Sequence, residues 1–154
     1  MESTYIKEYK KIVSKLINKS FPILKDEKIE ILQENTVWRG KAEFWPWKKR
    51  ITVSNKIKRY RREKIIGLFA HELCHMEMSK KKGFLWLAIM WNIAKHSKKI
   101  SSRIEWGTDM LAIQKGYGRY LLYSKKNQTD KQKSGYMPRN TVRALMKDYK
   151  DVKI

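Results

Sequence analysis

Cysteine is nearly absent. Cys74 stands alone, so no intramolecular disulfide can brace the fold, and a reducing compartment is the simpler expectation. Histidine is scarce as well, at three residues, which gives weight to any two that fall at a chemically meaningful spacing. Long apolar runs are missing. The longest is Phe84-Leu85-Trp86-Leu87-Ala88-Ile89-Met90-Trp91, extending to Ala94, and it falls short of the roughly 20 residues that cross a bilayer. Met1-Glu2-Ser3-Thr4-Tyr5 leads into a Lys-rich helical pattern with no uninterrupted apolar region. A secretory signal is therefore not expected, and the protein is read as cytoplasmic. No internal repeat is found.

Acidic side chains are also few, with 15 Asp and Glu against 36 Lys and Arg, for a formal charge of +21. That charge attracts nucleic acid, anionic lipid or acidic protein through its long-range potential, and by itself names none of them. Lys exceeds Arg threefold and is spread over nearly every segment, whereas dedicated nucleic-acid readers cluster their cations on one face. A general lysine bias is the plainer alternative. With 154 residues, 42% of them apolar, the chain is long enough for one core and too apolar for a disordered tail. Oligomeric state is not legible.

Tyr5, Ile6, Tyr9, Ile12, Val13, Leu16 and Ile17 recur at spacings of three and four, predicting an amphipathic helix that ends near Pro22. Short β-prone runs follow at Ile29–Leu32, Thr36–Trp38, Ala42–Trp45 and Ile51–Val53, with Pro46 and Lys48-Lys49 as a turn; they predict a small, mostly antiparallel sheet. Helical spacing returns over Arg61–Ser79, with Gly67 its one weak position. The Phe84–Ala94 stretch, bracketed by lysines, reads as a core helix or as a helix lying on an anionic membrane or partner. Ser102 and Glu105 resemble a capping box opening a helix that closes at Gly116. Residues 124–138 read as a flexible connection, and Val142, Leu145, Met146, Tyr149 and Val152 as a final amphipathic helix.

His71-Glu72-Leu73-Cys74-His75 is an HExxH sequence within the Arg61–Ser79 helix. Residues four apart are separated by only about 40° around a helix axis, so both imidazoles project from one face and can share a metal ion. Neutral imidazole suits Zn2+, and Glu72 stands beside the pair to take a proton from an attacking water. A catalytic zinc needs a third protein ligand and an open position. Glu105, thirty residues past His75, is the leading candidate, and Asp109 lies four further along the same face, placed to orient a ligand imidazole. His96 is the rival third ligand, set in a basic stretch with Lys95, Lys98 and Lys99.

Gly67-Leu68-Phe69-Ala70-His71-Glu72-Leu73-Cys74-His75, followed by Arg103-Ile104-Glu105-Trp106-Gly107-Thr108-Asp109-Met110-Leu111-Ala112 and Gly116, resembles the gluzincin pattern of HExxH and then ExxxD on a second, glutamate helix. In size and order of elements the chain is similar to the compact minigluzincins, over about residues 36–120. The resemblance implies a zincin-like α+β domain in which His71, His75 and Glu105 bind zinc, Glu72 is the general base and Asp109 orients His71. It also implies that Arg50–Ser54 is the edge strand on which an extended substrate pairs. Cys74 and Thr108 stand where the family often has a small residue and Ala. Cys74 is read as a small buried side chain, with a metal-blocking or redox thiol as the alternative.

The expected organisation is a metallopeptidase domain at 1–123, a connection at 124–138 and a C-terminal helix at 139–154 that could occlude the site. Tyr117, Tyr120 and Tyr123 are candidate oxyanion donors among which nothing chooses. Trp38-Arg39-Gly40-Lys41-Ala42 through HExxH also resembles the SprT-like proteases, which implies a third histidine ligand and DNA-associated substrates. A basic nucleic-acid-binding module with a structural metal is the non-enzyme alternative.

Overall fold

The computed structural model describes residues 3–36, 39–125, 136–152 and 154. Helix α1 spans Thr4–Ser20, with the Ser3 hydroxyl accepting from the Ile6 N–H at its start, as an N-cap should. Its stripe of Tyr9, Ile12, Val13 and Leu16 is buried, and each of the three aliphatic side chains contributes about 1.5–3 kcal/mol of transfer free energy. The helix stops at Ser20, one residue before a short 3-10 turn that begins at Pro22. Phe21 stacks on Tyr117, Lys115 sits over the Phe21 ring, and the Tyr117 hydroxyl donates to Ser20. The end of α1 is thereby pinned to the chain that follows the fourth helix.

Strands β1 (Glu30–Glu34), β2 (Gly40–Trp45) and β3 (Lys48–Ser54) form one sheet in the order β1-β3-β2. The sheet is mixed, which corrects the mostly antiparallel expectation: β2 and β3 make an antiparallel hairpin, whereas β1 runs parallel to β3. Residues 51–54 are all buried, so the most apolar run takes the centre and leaves β1 and β2 as the edges. Arg50–Ser54 is therefore not an edge strand; β2 is. Lys48 and Lys49 belong to β3, so the turn reduces to Pro46-Trp47. The expected run Thr36–Trp38 lies mostly outside the described residues.

Helix α2 (Arg62–Lys82) crosses the middle of the molecule with twelve of its residues buried. Helix α3 (Phe84–His96) follows after Gly83, α4 spans Lys98–Gln114, α5 Gly118–Lys125 and α6 Arg139–Leu145. The fold is α+β, with six α-helices among the described residues. Helix α5 was not foreseen, and it packs so closely on α2 that a Cβ at Gly67 would fall 2.1 Å from the Tyr120 carbonyl oxygen. The one weak helix former of α2 is thus the point of helix contact.

Three further expectations change. Helix α3 is not a core helix: none of its described side chains is buried, because α1, α2, α4, α5 and the sheet already fill the interior. Helix α4 begins a turn earlier than the Ser102 capping box predicts, since Ser97 accepts from the Ile100 N–H. The final helix ends at Leu145 and passes into a 3-10 turn at Met146–Asp148. Gly116 does close α4: at φ +82° its N–H reaches the Ile113 carbonyl while the Tyr117 N–H reaches that of Ala112, the paired bonds of a Schellman end.

Replacing Gly67 with Ala should lower stability by about 1–3 kcal/mol, the usual result of overpacking. Urea unfolding followed by circular dichroism reads it, and an unchanged midpoint would mean that α2 and α5 do not meet there.

Candidate metal centre

Most of α2 is buried, so its polar residues need partners on neighbouring elements. His71 and His75 lie one turn apart and their rings meet edge to face at 4.8 Å. Helix α4 crosses beside them and presents Glu105, Thr108 and Asp109, which share a face at spacings of three and four. Glu105 Oε2 lies 3.1 Å from His71 Nε2, Glu105 Oε1 lies 3.5 Å from His75 Nε2, and the two Nε2 atoms are 3.2 Å apart. One ligand atom from each of the three residues falls within 4.8 Å of the others. Two imidazoles and a carboxylate with an open side are a donor set that suits Zn2+, and other first-row divalent ions besides.

The remaining ring nitrogens fix the tautomers. His71 Nδ1 donates to Asp109 Oδ1 at 3.0 Å. The Thr108 hydroxyl donates to the Ile104 carbonyl at 2.9 Å and so receives His75 Nδ1–H at 3.2 Å. Both imidazoles therefore keep Nε2 for the shared point, an arrangement that commonly raises ligand basicity. Asp109 is wholly buried, and three donors satisfy it: His71, the Lys125 ammonium at 2.6 Å and the Met137 N–H at 3.0 Å.

No family model, curated protein or solved structure matches this chain.

Burial opposes a charge on His71, but hydrogen bonds to Asp109 and Glu105 outweigh it and push its pKa up to about 10. Burial would raise both carboxyls, yet the imidazoles, joined at Asp109 by Lys125, hold Glu105 and Asp109 below the ordinary range. Glu72 is different. Desolvation dominates there and raises its pKa, while its carboxylate accepts a hydrogen bond from the Ala42 backbone. It stands between the His71–His75–Glu105 cluster and the outer edge of β2. Gly40 passes so close that a Cβ there would lie 2.9 Å from Glu72 Oε1.

These residues open onto a cleft of about 810 Å³ between β2, α2, α3 and α4. Met76, Met78, Met90 and Ile104 contribute apolar wall, and Tyr136 closes one side, its ring 5.7 Å from that of His71.

All five residues expected at the site, His71, Glu72, His75, Glu105 and Asp109, converge. His96 does not: it sits exposed at the end of α3, outside the cluster. Cys74 is buried, and desolvation raises its thiol pKa well above the usual value, which fits a small packing residue. Tyr117 is spent on Ser20, and neither it, Tyr120 nor Tyr123 lines the cleft. Four contributors went unforeseen: Thr108, Lys125, the Met137 backbone and Tyr136. Thr108 was readable as the residue three past Glu105. Lys125 is one cation among 36, and nothing local marks it.

The chain should bind one Zn2+, Glu105→Ala should abolish tight binding, and His96→Ala should leave it unchanged, as read by competition with a chromogenic chelator. Thr108→Ala and Asp109→Asn should each weaken binding about 10–100-fold. Because His71 holds its proton to about pH 10 without metal, binding at neutral pH should release about one proton and weaken as pH falls. Calorimetry in buffers of differing ionisation enthalpy measures that release, and an absence of it would contradict the charge state assigned to His71.

Proposed function

We infer that the chain is a Zn2+-dependent peptidase of gluzincin-like, zincin-like arrangement. The observation that carries this reading is the meeting of His71, His75 and Glu105 within 4.8 Å, beside a buried Glu72 that faces the edge strand β2. A divalent ion held by such a set supplies Lewis acidity, lowering the pKa of water toward about 7 and polarising a carbonyl. The chain's own groups account for the rest.

An extended peptide adds to the outer edge of β2, whose Ala42 N–H already points to the Glu72 side; main-chain hydrogen bonds hold it and the apolar walls receive alternate side chains. Glu72 takes a proton from the attacking water and delivers it to the leaving amine nitrogen. Its raised pKa, a result of burial, brings it closer to that double task than an exposed glutamate. Asp109 and Thr108 hold the two imidazoles in register.

Tyr136 is the hydrogen-bond donor that fits the developing oxyanion. Burial, and then the carboxylates of Glu105, Glu72 and Asp109, raise its pKa, so the phenol keeps its proton. The reading assigns no blocking role to α6, which packs against α5; of the described residues after Lys125, Tyr136 alone lines the cleft. The SprT-like alternative asks for a third histidine ligand, and it is Glu105 that completes the cluster.

Glu72→Gln should retain Zn2+ and lose peptide hydrolysis by about 10²–10⁴-fold, measured on a quenched fluorescent peptide mixture. Tyr136→Phe should lower kcat by about 10²-fold with metal content and KM little changed. A binding module with a structural metal would instead keep its function in Glu72→Gln, and absence of hydrolysis by the zinc-loaded wild type would remove the peptidase reading.

A further inference from the structure

Exposed apolar surface collects on one part of the molecule. Leu85, Ile89 and Ile93 follow one another at intervals of four along α3 and are 71%, 50% and 41% exposed, so they form a ridge down its outer face. At the start of that helix Phe84, 42% exposed, packs edge-on against Trp45 and against Trp47, which is 75% exposed. Trp45 and Trp47 stack on each other. Trp86, Met90 and Ala94, each one position on and so about 100° further round the helix, line the cleft instead.

Cations bracket the ridge. Lys82 precedes it, and Lys95, Lys98 and Lys99 follow it; all four are exposed and none forms an ion pair among the described residues. No helix among those residues is long and apolar enough to cross a membrane. An exposed apolar ridge carrying aromatic residues at one end and lysines at both is the pattern of a helix lying in the plane of a bilayer interface.

We propose that α3 and the Trp45–Trp47–Phe84 cluster dock the protein onto an anionic lipid surface, with Leu85, Ile89 and Ile93 among the acyl chains and the lysines at the headgroups. Other occupants fit less well. A second copy of the chain would bring another +21 against the first, and nucleic acid offers no apolar surface to cover the ridge. An acidic protein would meet the charge, but a protruding helix with none of its described side chains buried is a ridge, not a groove, and fluid acyl chains mould to a ridge without a matching cavity. Docking in this orientation would bring the cleft wall formed by α3 up to the lipid.

The test is flotation of the full chain with vesicles of phosphatidylcholine alone or with about one part in four phosphatidylglycerol. The wild type should float with the anionic vesicles at near-physiological salt and remain behind with the neutral ones. The triple variant Leu85→Ser, Ile89→Ser, Ile93→Ser keeps every charge and alters only exposed positions, so its fold, checked by circular dichroism, should be intact while its binding falls at least about tenfold. Equal flotation of the folded triple variant would reduce the attraction to charge alone and overturn the proposal. So would failure of the wild type to bind anionic vesicles, which would leave an acidic protein surface as the occupant. In a separate arm, acyl-chain-brominated lipid should quench the wild-type tryptophan fluorescence more than that of Trp47→Phe; identical quenching would overturn the seating of the aromatic cluster.

Discussion

The buried carboxylate of Asp109 is the point on which this structure turns. An ionised group with no solvent is tolerated only when donors surround it, and each of its three donors comes from a different stretch of chain: His71 from α2, Lys125 from the end of α5, and the Met137 N–H from the segment before α6. Satisfying one carboxylate thus fixes α2 against α4 and draws in two segments remote in sequence. It also turns the His71 Nε2 toward Glu105 and His75. The order that folding demands and the order that a metal site demands are here one constraint.

Much of the candidate metal centre could be read from the sequence, because helical geometry is short-range and nearly invariant. Residues four apart share a face wherever a helix occurs, so the pairing of His71 with His75 and of Glu105 with Asp109 followed as soon as both stretches were read as helical. Glu105 is favoured over His96 by that spacing to Asp109 and by Lys95, Lys98 and Lys99, which surround His96. What failed was mostly pairing between elements. Period-two alternation identifies a strand but does not say which neighbour it joins; the edge position of Arg50–Ser54 is what the family resemblance alone implies, and its buried residues place it at the centre.

A second kind of failure concerned which solvent an element meets. The apolar content of α3 is compatible with a core or with a surface that receives something else, and only the packing of the other helices shows the core to be already full. A third concerned single residues in a monotonous background. Lys125 looks like every other lysine in a chain this basic, and Tyr136 and Met137 fell within a stretch read as connection. Their positions follow from Asp109's need for donors, a need that becomes visible only when α4 is laid against α2.

The two imidazoles of the centre are not equivalent. His71 is backed by an anion and His75 by the neutral hydroxyl of Thr108, so the first is the more electron-rich donor and the more firmly oriented. His75 is also the less buried of the two, with its side chain 23% exposed against 8%. A divalent ion held by this centre would therefore meet one loosely and one firmly held imidazole, the His75 side being the more open to solvent.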